Sequence, residues 1–132
     1  MFTRNKQPAI KSLIAQGSRV EGDVHFTDGL RIDGQVRGDV RAEEGQTGLL
    51  VISEQAKVEG AVHAAHVIVN GEVLGPVHAS VLLELQPKAR ITGDVYYKAL
   101  EMHQGAIISG GMVPMDAVLG EKTPLKLASN SL

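Results

Sequence analysis

The 132-residue sequence has no cysteine and no tryptophan, and only two phenylalanines and two tyrosines. Without a thiol, disulfides, zinc knuckles, thiolate clusters and cysteine nucleophiles are excluded together. A reducing cytoplasm is compatible with that usage. Because only Phe2, Phe26, Tyr96 and Tyr97 supply rings, the apolar fraction of 43% is carried by Val, Ile, Leu and Ala. The core they build is expected to consist of thin, repetitive aliphatic layers. Long apolar runs are missing as well: Leu49 to Ile52 and Val81 to Leu83 fall far short of the roughly 20 residues a membrane-spanning helix needs. Arg4, Lys6 and Lys11 are not followed by the apolar core and small-residue cleavage site of a secretory signal. A basic excess is also absent. The formal net charge of −2 argues against a dedicated nucleic-acid binder, which presents a basic stripe and often stacking aromatics. No phosphate-cradling P-loop, GxSxG elbow or HExxH pair occurs, so neither nucleotide nor any cofactor is expected.

What the sequence does have is a repeat, within a length that provides one domain. The unit is an aliphatic residue, any residue, glycine, any residue, then valine. It occurs as Val20-Glu21-Gly22-Asp23-Val24, Ile32-Asp33-Gly34-Gln35-Val36, Val36-Arg37-Gly38-Asp39-Val40 and Val58-Glu59-Gly60-Ala61-Val62. It continues as Val69-Asn70-Gly71-Glu72-Val73, Val73-Leu74-Gly75-Pro76-Val77 and Ile91-Thr92-Gly93-Asp94-Val95, and fades at Ile108-Ser109-Gly110-Gly111-Met112. With Gly22, Gly38, Gly60, Gly75, Gly93 and Gly110 as one mark per coil, the steps are 16, 22, 15, 18 and 17 residues. The long step contains Glu43-Glu44-Gly45-Gln46-Thr47-Gly48, which reads as a loop inserted between coils.

Alternation with period two puts Val20, Val24, Ile32, Val36 and Val40 on one side of the chain and Glu21, Asp23, Asp33, Arg37 and Asp39 on the other. Strands with one buried face follow. Glycine recurring at one phase marks a tight bend where a side chain would crowd its neighbour. A coil of about 17 to 18 residues, divided among three short strands, is a triangular β-solenoid, and about six coils make a rod on the order of 30 Å long. A left-handed hexapeptide helix is the competing reading, since Val24, Leu30 and Val36 lie six apart, as do Val62, Ile68 and Leu74. That series breaks at Ala42, Gly48 and Ser80.

The run Ser12-Leu13-Ile14-Ala15, then Gly17 to Val24, then Gly29 to Val40 resembles the opening of the bactofilins, and the resemblance continues to about Met112. It implies an all-β, right-handed parallel β-helix over residues 18–113, with disordered tails at 1–17 and 114–132. It further implies nucleotide-free polymerisation, attachment to the cytoplasmic face of the inner membrane and the positioning of cell-wall enzymes. One departure is the aromatic-poor C-terminal coil, where some members carry a phenylalanine.

Polymerisation also has an independent physical reason, because each end of a parallel solenoid presents unpaired strand edges and an open apolar core. The first and last coils, marked by Val20, Val24 and Leu30 and by Ile107, Ile108 and Met112, are the expected contacts. Ile10, Leu13 and Ile14, at helical i, i+3, i+4 spacing, offer a short cap instead. The segment 1–20 has Arg4, Lys6, Lys11 and Arg19 and no acidic residue, with Phe2 at its tip. Phe2, Arg4 and Lys6 are therefore candidates for contact with anionic lipid, at about 1 kcal/mol per basic side chain. The bland alternative is a solvated tail.

His25, His63 and His78 each follow the closing valine of a repeat, a phase shared with Arg41 and Tyr96. An exposed polar column is the expectation and a metal site the weaker alternative. Asp23, Asp39 and Asp94 also share a phase. Paired carboxylates of that kind serve polysaccharide-cleaving enzymes, but a solvated role is the ordinary one. No catalytic residue and no metal ligand is assigned. A trimeric hexapeptide acyltransferase and a non-polymerising solenoid binding module are the remaining alternatives.

Overall fold

A computed structural model describes residues 9–43 and 48–115. The first coil comprises β1 (Ile10–Ile14), β2 (Arg19–Glu21) and β3 (Val24–Phe26), and the second β4 (Gly29–Ile32), β5 (Gln35–Arg37) and β6 (Val40–Ala42). The chain continues through β7 (Leu49–Ile52), β8 (Lys57–Glu59), β9 (Val62–Val69), β10 (Glu72–Leu74) and β11 (Val77–Leu85). It ends with β12 (Arg90–Thr92), β13 (Val95–Met102), β14 (Ile107–Ser109) and β15 (Met112–Pro114). Strands β9, β11 and β13 are long because each closes one coil and opens the next without a break. About six coils result, with three strand positions in each.

Every strand pair is parallel, so the structure is the solenoid that the repeat predicts. On one face β2, β5, β8, β10, β12 and β14 stack in chain order. There Glu21 lies opposite Arg37, then Glu59, Leu74, Thr92 and Ser109. These are the same steps as between the glycines. The 22-residue step is confirmed by Val40 lying opposite Val62; residues 44–47 of its insertion lie outside the described residues.

The glycine column explains the repeat. Gly22, Gly38, Gly60, Gly75, Gly93 and Gly110 have φ between +123° and +158°. A Cβ on Gly60 would meet the backbone carbonyl of Gly38, and one on Gly75 that of Gly60, well inside 3.0 Å. Glycine alone lets the corners of successive coils sit at strand spacing.

Inside, identical phases form aliphatic columns. Val20, Val36, Val58, Val73, Ile91 and Ile108 make one; Val24, Val40, Val62, Val77, Val95 and Met112 make another. Ile32, Val36, Val40, Leu50, Val58 and Val62 are fully buried, each contributing about 1.5–3 kcal/mol against exposure. Two of the four rings, Phe26 and Tyr97, sit in a third column above Ala42 and beside Ala79. Small neighbours there leave room for a ring.

The N-terminal boundary differs from the sequence expectation. Residues 10–14, expected as tail or as a helical cap, form β1, which pairs with β4. The spacing of Ile10, Leu13 and Ile14 imitates a helix because a register shift between Ile10 and Ser12 breaks the period of two. Pro114 likewise belongs to β15 rather than to a tail. Residues 1–8 and 116–132, the remainder of both expected tails, lie outside the described residues.

Candidate functional site

The two ends of the rod are where a solenoid leaves its interactions unfinished. Backbone direction follows from phase: Val24 donates its N–H to the carbonyl of Asp39, Val40 to Ala61, Val62 to Pro76, Val77 to Asp94 and Val95 to Gly111. Inward residues at this phase therefore aim their N–H groups at the following coil. On the last coil this phase is held by Met112 and Pro114, which aim off the end; Pro114 has no N–H, so the edge lacks one donor there.

At the N-terminal end, Ile14, Val20 and Val24 are only half-buried, whereas their column mates in the middle coils are sealed. Ser12 stands above Leu30 and Leu50 in an otherwise aliphatic column. At the C-terminal end, Leu100 and Ile108 are half-buried and Met102 and Met112 exposed. Each end thus presents open core and open strand edge together.

Of the end residues expected from the sequence, Val20, Val24, Ile108 and Met112 face inward on terminal coils. Leu30 does not: it belongs to the second coil, is 2% exposed, and is covered by β1, a strand the repeat does not announce. Ile107 is on the last coil but outward, in register with Arg90, and 54% exposed. Leu13, outward on β1 and 58% exposed, and Ser12 carry no repeat signature that could have marked them as terminal. Phe2, Arg4 and Lys6 lie outside the described residues.

The recurring aspartates have a structural use that their phase alone does not disclose. Asp23 Oδ1 accepts the N–H of Asp39 at 2.9 Å, Asp39 Oδ1 that of Ala61 at 2.9 Å, and Asp94 Oδ1 that of Gly111 at 2.8 Å. Each carboxylate satisfies a corner amide of the next coil. Ala61 has no side-chain acceptor to offer, and the residue at this phase in the following coil is Pro76, which has no amide hydrogen. The carboxylates are committed to these bonds rather than paired across a cleft.

The polar column exists in the expected register, but Arg41, His63, His78 and Tyr96 in it are half-buried rather than exposed. His25 lies opposite Arg41, Arg41 opposite His63, His63 opposite His78 and His78 opposite Tyr96. The rings of His63 and His78 stack with centroids 4.2 Å apart and planes 5° from parallel, and those of His78 and Tyr96 at 4.4 Å and 2°. Stacking keeps the in-plane nitrogen lone pairs of the two imidazoles parallel, so they do not converge on one ion. Both imidazoles hold protons less readily than an ordinary histidine. Burial is the main cause in each; for His63 the neighbouring His78 and Arg41 add to it while Asp39 opposes, and for His78 Arg41 adds to it.

Elsewhere, a shallow groove is lined by Arg31, Asp33, Val51, Ile68 and Asn70 among others. Its Asp33 carboxyl is held below the usual carboxylate range by hydrogen bonding to Ser53 and Arg31, which leaves it an anion rather than a proton donor. Glu84, Glu101 and His103 come together on the surface near the C-terminal end, with His103 Nε2 3.3 Å from Glu84 Oε2. Among the described residues no helix is long and apolar enough to cross a membrane.

Comparison with known proteins agrees with this geometry. Residues 12–113 match the bactofilin family, described as polymer-forming cytoskeletal. The chain is 26% identical over 115 residues to Bactofilin BacO of Myxococcus xanthus (strain DK1622), a match covering 87% of each protein. No solved structure matches it.

Proposed function

Because this chain belongs to the bactofilin family of polymer-forming cytoskeletal proteins, we propose that it assembles end to end, without nucleotide, into filaments that scaffold proteins at the inner membrane. The observation that carries this reading is the state of the two ends. Stacking one rod on another pairs the exposed edges of β1, β2 and β3 or of β13, β14 and β15, and seals Val20 and Val24 or Ile108 and Met112 in the same step. Hydrogen bonding and apolar burial supply the driving force, so no hydrolysed cofactor is required. On this reading the protein is a structural element rather than an enzyme, and its clients are membrane-proximal proteins of peptidoglycan remodelling, hence of cell shape.

Negative-stain electron microscopy of the full-length chain in ordinary salt, without nucleotide or metal, tests assembly, with size-exclusion chromatography alongside. Long thin filaments are expected. A uniform trimer would return weight to the hexapeptide-type enzyme, and a concentration-independent monomer to a capped binding module.

Membrane attachment is assigned to the N-terminal segment, where Phe2 accompanies Arg4 and Lys6. A single copy binds weakly, but a filament carries many copies and holds the surface by avidity. Phe2→Glu is expected to reduce co-sedimentation of filaments with anionic vesicles by at least about tenfold, since it removes the ring proposed to enter the lipid and adds a repelled charge. Equal pelleting of both proteins would remove the anchor and leave end-to-end assembly untouched.

A further inference from the structure

We propose that the column Arg41–His63–His78–Tyr96 is an acid-sensitive element of the solenoid. At neutral pH its imidazoles pack as uncharged rings across the middle coils; on acidification they charge beside Arg41 and loosen that face.

The geometry supplies three reasons. First, the rings are stacked nearly parallel at 4.2 and 4.4 Å and are fixed in register by β6, β9, β11 and β13. Two imidazolium ions held at this spacing repel, and the solenoid ladder prevents them from moving apart. Second, His78 Nδ1 is buried with no hydrogen-bond partner among the described residues. A neutral imidazole can leave that nitrogen as a bare acceptor, but the cation must place an N–H there, and a buried donor without an acceptor is costly. Third, the charges around the pair are dominated by a cation. Arg41 on β6 stands directly against His63, while the one carboxylate acting on His63 among the described residues, Asp39 at the preceding corner, already accepts the Ala61 amide. His25 lies on the far side of Arg41, and Glu43 shares a surface hollow with His25 and Arg41. On the other side Tyr96 is uncharged, with Lys98 two residues further along β13.

The sign follows from the lowered proton affinity of both rings. Their ordinary value is 6.5 and their folded values lie below it, so the unfolded chain binds more protons than the folded one as pH falls. Stability contributed by the neutral stack is complete above the ordinary histidine range and is lost progressively as pH drops through it. His66, on the same strand but in the column of Leu49 and Leu82, is lowered by burial alone and adds a component independent of Arg41.

The test is thermal unfolding of the full chain followed by circular dichroism from about pH 8 to about pH 5. We compare wild type, His63→Gln/His78→Gln, Arg41→Gln and, as control, His66→Gln. Wild type is expected to lose about 5 °C or more beyond the loss shown by the double variant. Arg41→Gln should reduce the acid loss while both histidines remain, and this variant decides the matter if the double variant does not fold. Wild type and Arg41→Gln losing stability in parallel, or a loss abolished by His66→Gln alone, would overturn the proposal.

Discussion

Replacing Gly60 by alanine is expected to remove a substantial part of the folding free energy, although it adds a single methyl group. Gly60 has φ +157° and sits in mid-column, where a Cβ meets the carbonyl oxygen and carbon of Gly38. Those atoms are backbone held in the ladder, so no side chain can swing aside. An unfavourable backbone conformation costs about 1–3 kcal/mol and overpacking a further ~1–3 kcal/mol, against a total stability of about 5–15 kcal/mol for a domain. Gly22 supplies an internal control: its φ is +123° but nothing lies within 4 Å of the place a methyl group would take, because among the described residues no coil precedes its own. Gly22→Ala should therefore show the conformational cost alone. Thermal midpoints read by circular dichroism should fall by more than about 10 °C for Gly60→Ala and by about half of that or less for Gly22→Ala. Equal losses would mean that the corner glycines are selected for conformation and not for the stacking of coils.

The contrast between those two glycines also shows what can be seen in a sequence of this kind. The spacing of Gly22, Gly38, Gly60, Gly75, Gly93 and Gly110 was legible because it is imposed by backbone contact between successive coils, which tolerates no other residue. The inward valines were legible for a related reason: each coil repeats the same environment, so the same chemistry recurs at the same phase. The first strand was not legible, since a terminal coil has a neighbour on one side only and its residues are released from the repeat. Ser12 replaces an aliphatic residue, β1 has no glycine–valine signature and carries a register shift, and Leu30 consequently looked terminal when it is interior. The Asp23, Asp39 and Asp94 bonds were hidden differently. Their recurrence was visible, but an outward carboxylate in a sequence does not disclose that a main-chain amide of the next coil lies 2.8–2.9 Å away. The pairing of Ala61 with Pro76 becomes meaningful only when the register is known.

Met112→Arg is expected to abolish filaments while leaving the subunit folded, and the size of what remains reports how the ends meet. Met112 closes the column of Val24, Val40, Val62, Val77 and Val95 and is 43% exposed in the free subunit, so an arginine there reaches water until a second rod covers it. Covering it then buries an unpaired charge, at a cost of about 3–5 kcal/mol, which weakens each C-terminal contact by roughly 150- to 5,000-fold. Ile107→Arg is the control, because Ile107 is outward on the same coil and continues the column of Arg90; it should leave filaments intact. If like ends join, the N-terminal contact survives in the variant and dimers form, whereas if the C-terminal end of one rod joins the N-terminal end of the next, every contact contains the arginine and monomers form. Size-exclusion chromatography with light scattering separates these outcomes, and Val20→Arg at the opposite end must give the same species in either case. Filaments of normal length from both variants would place the assembly contact on the sides of the rod, and its open ends would then need another occupant.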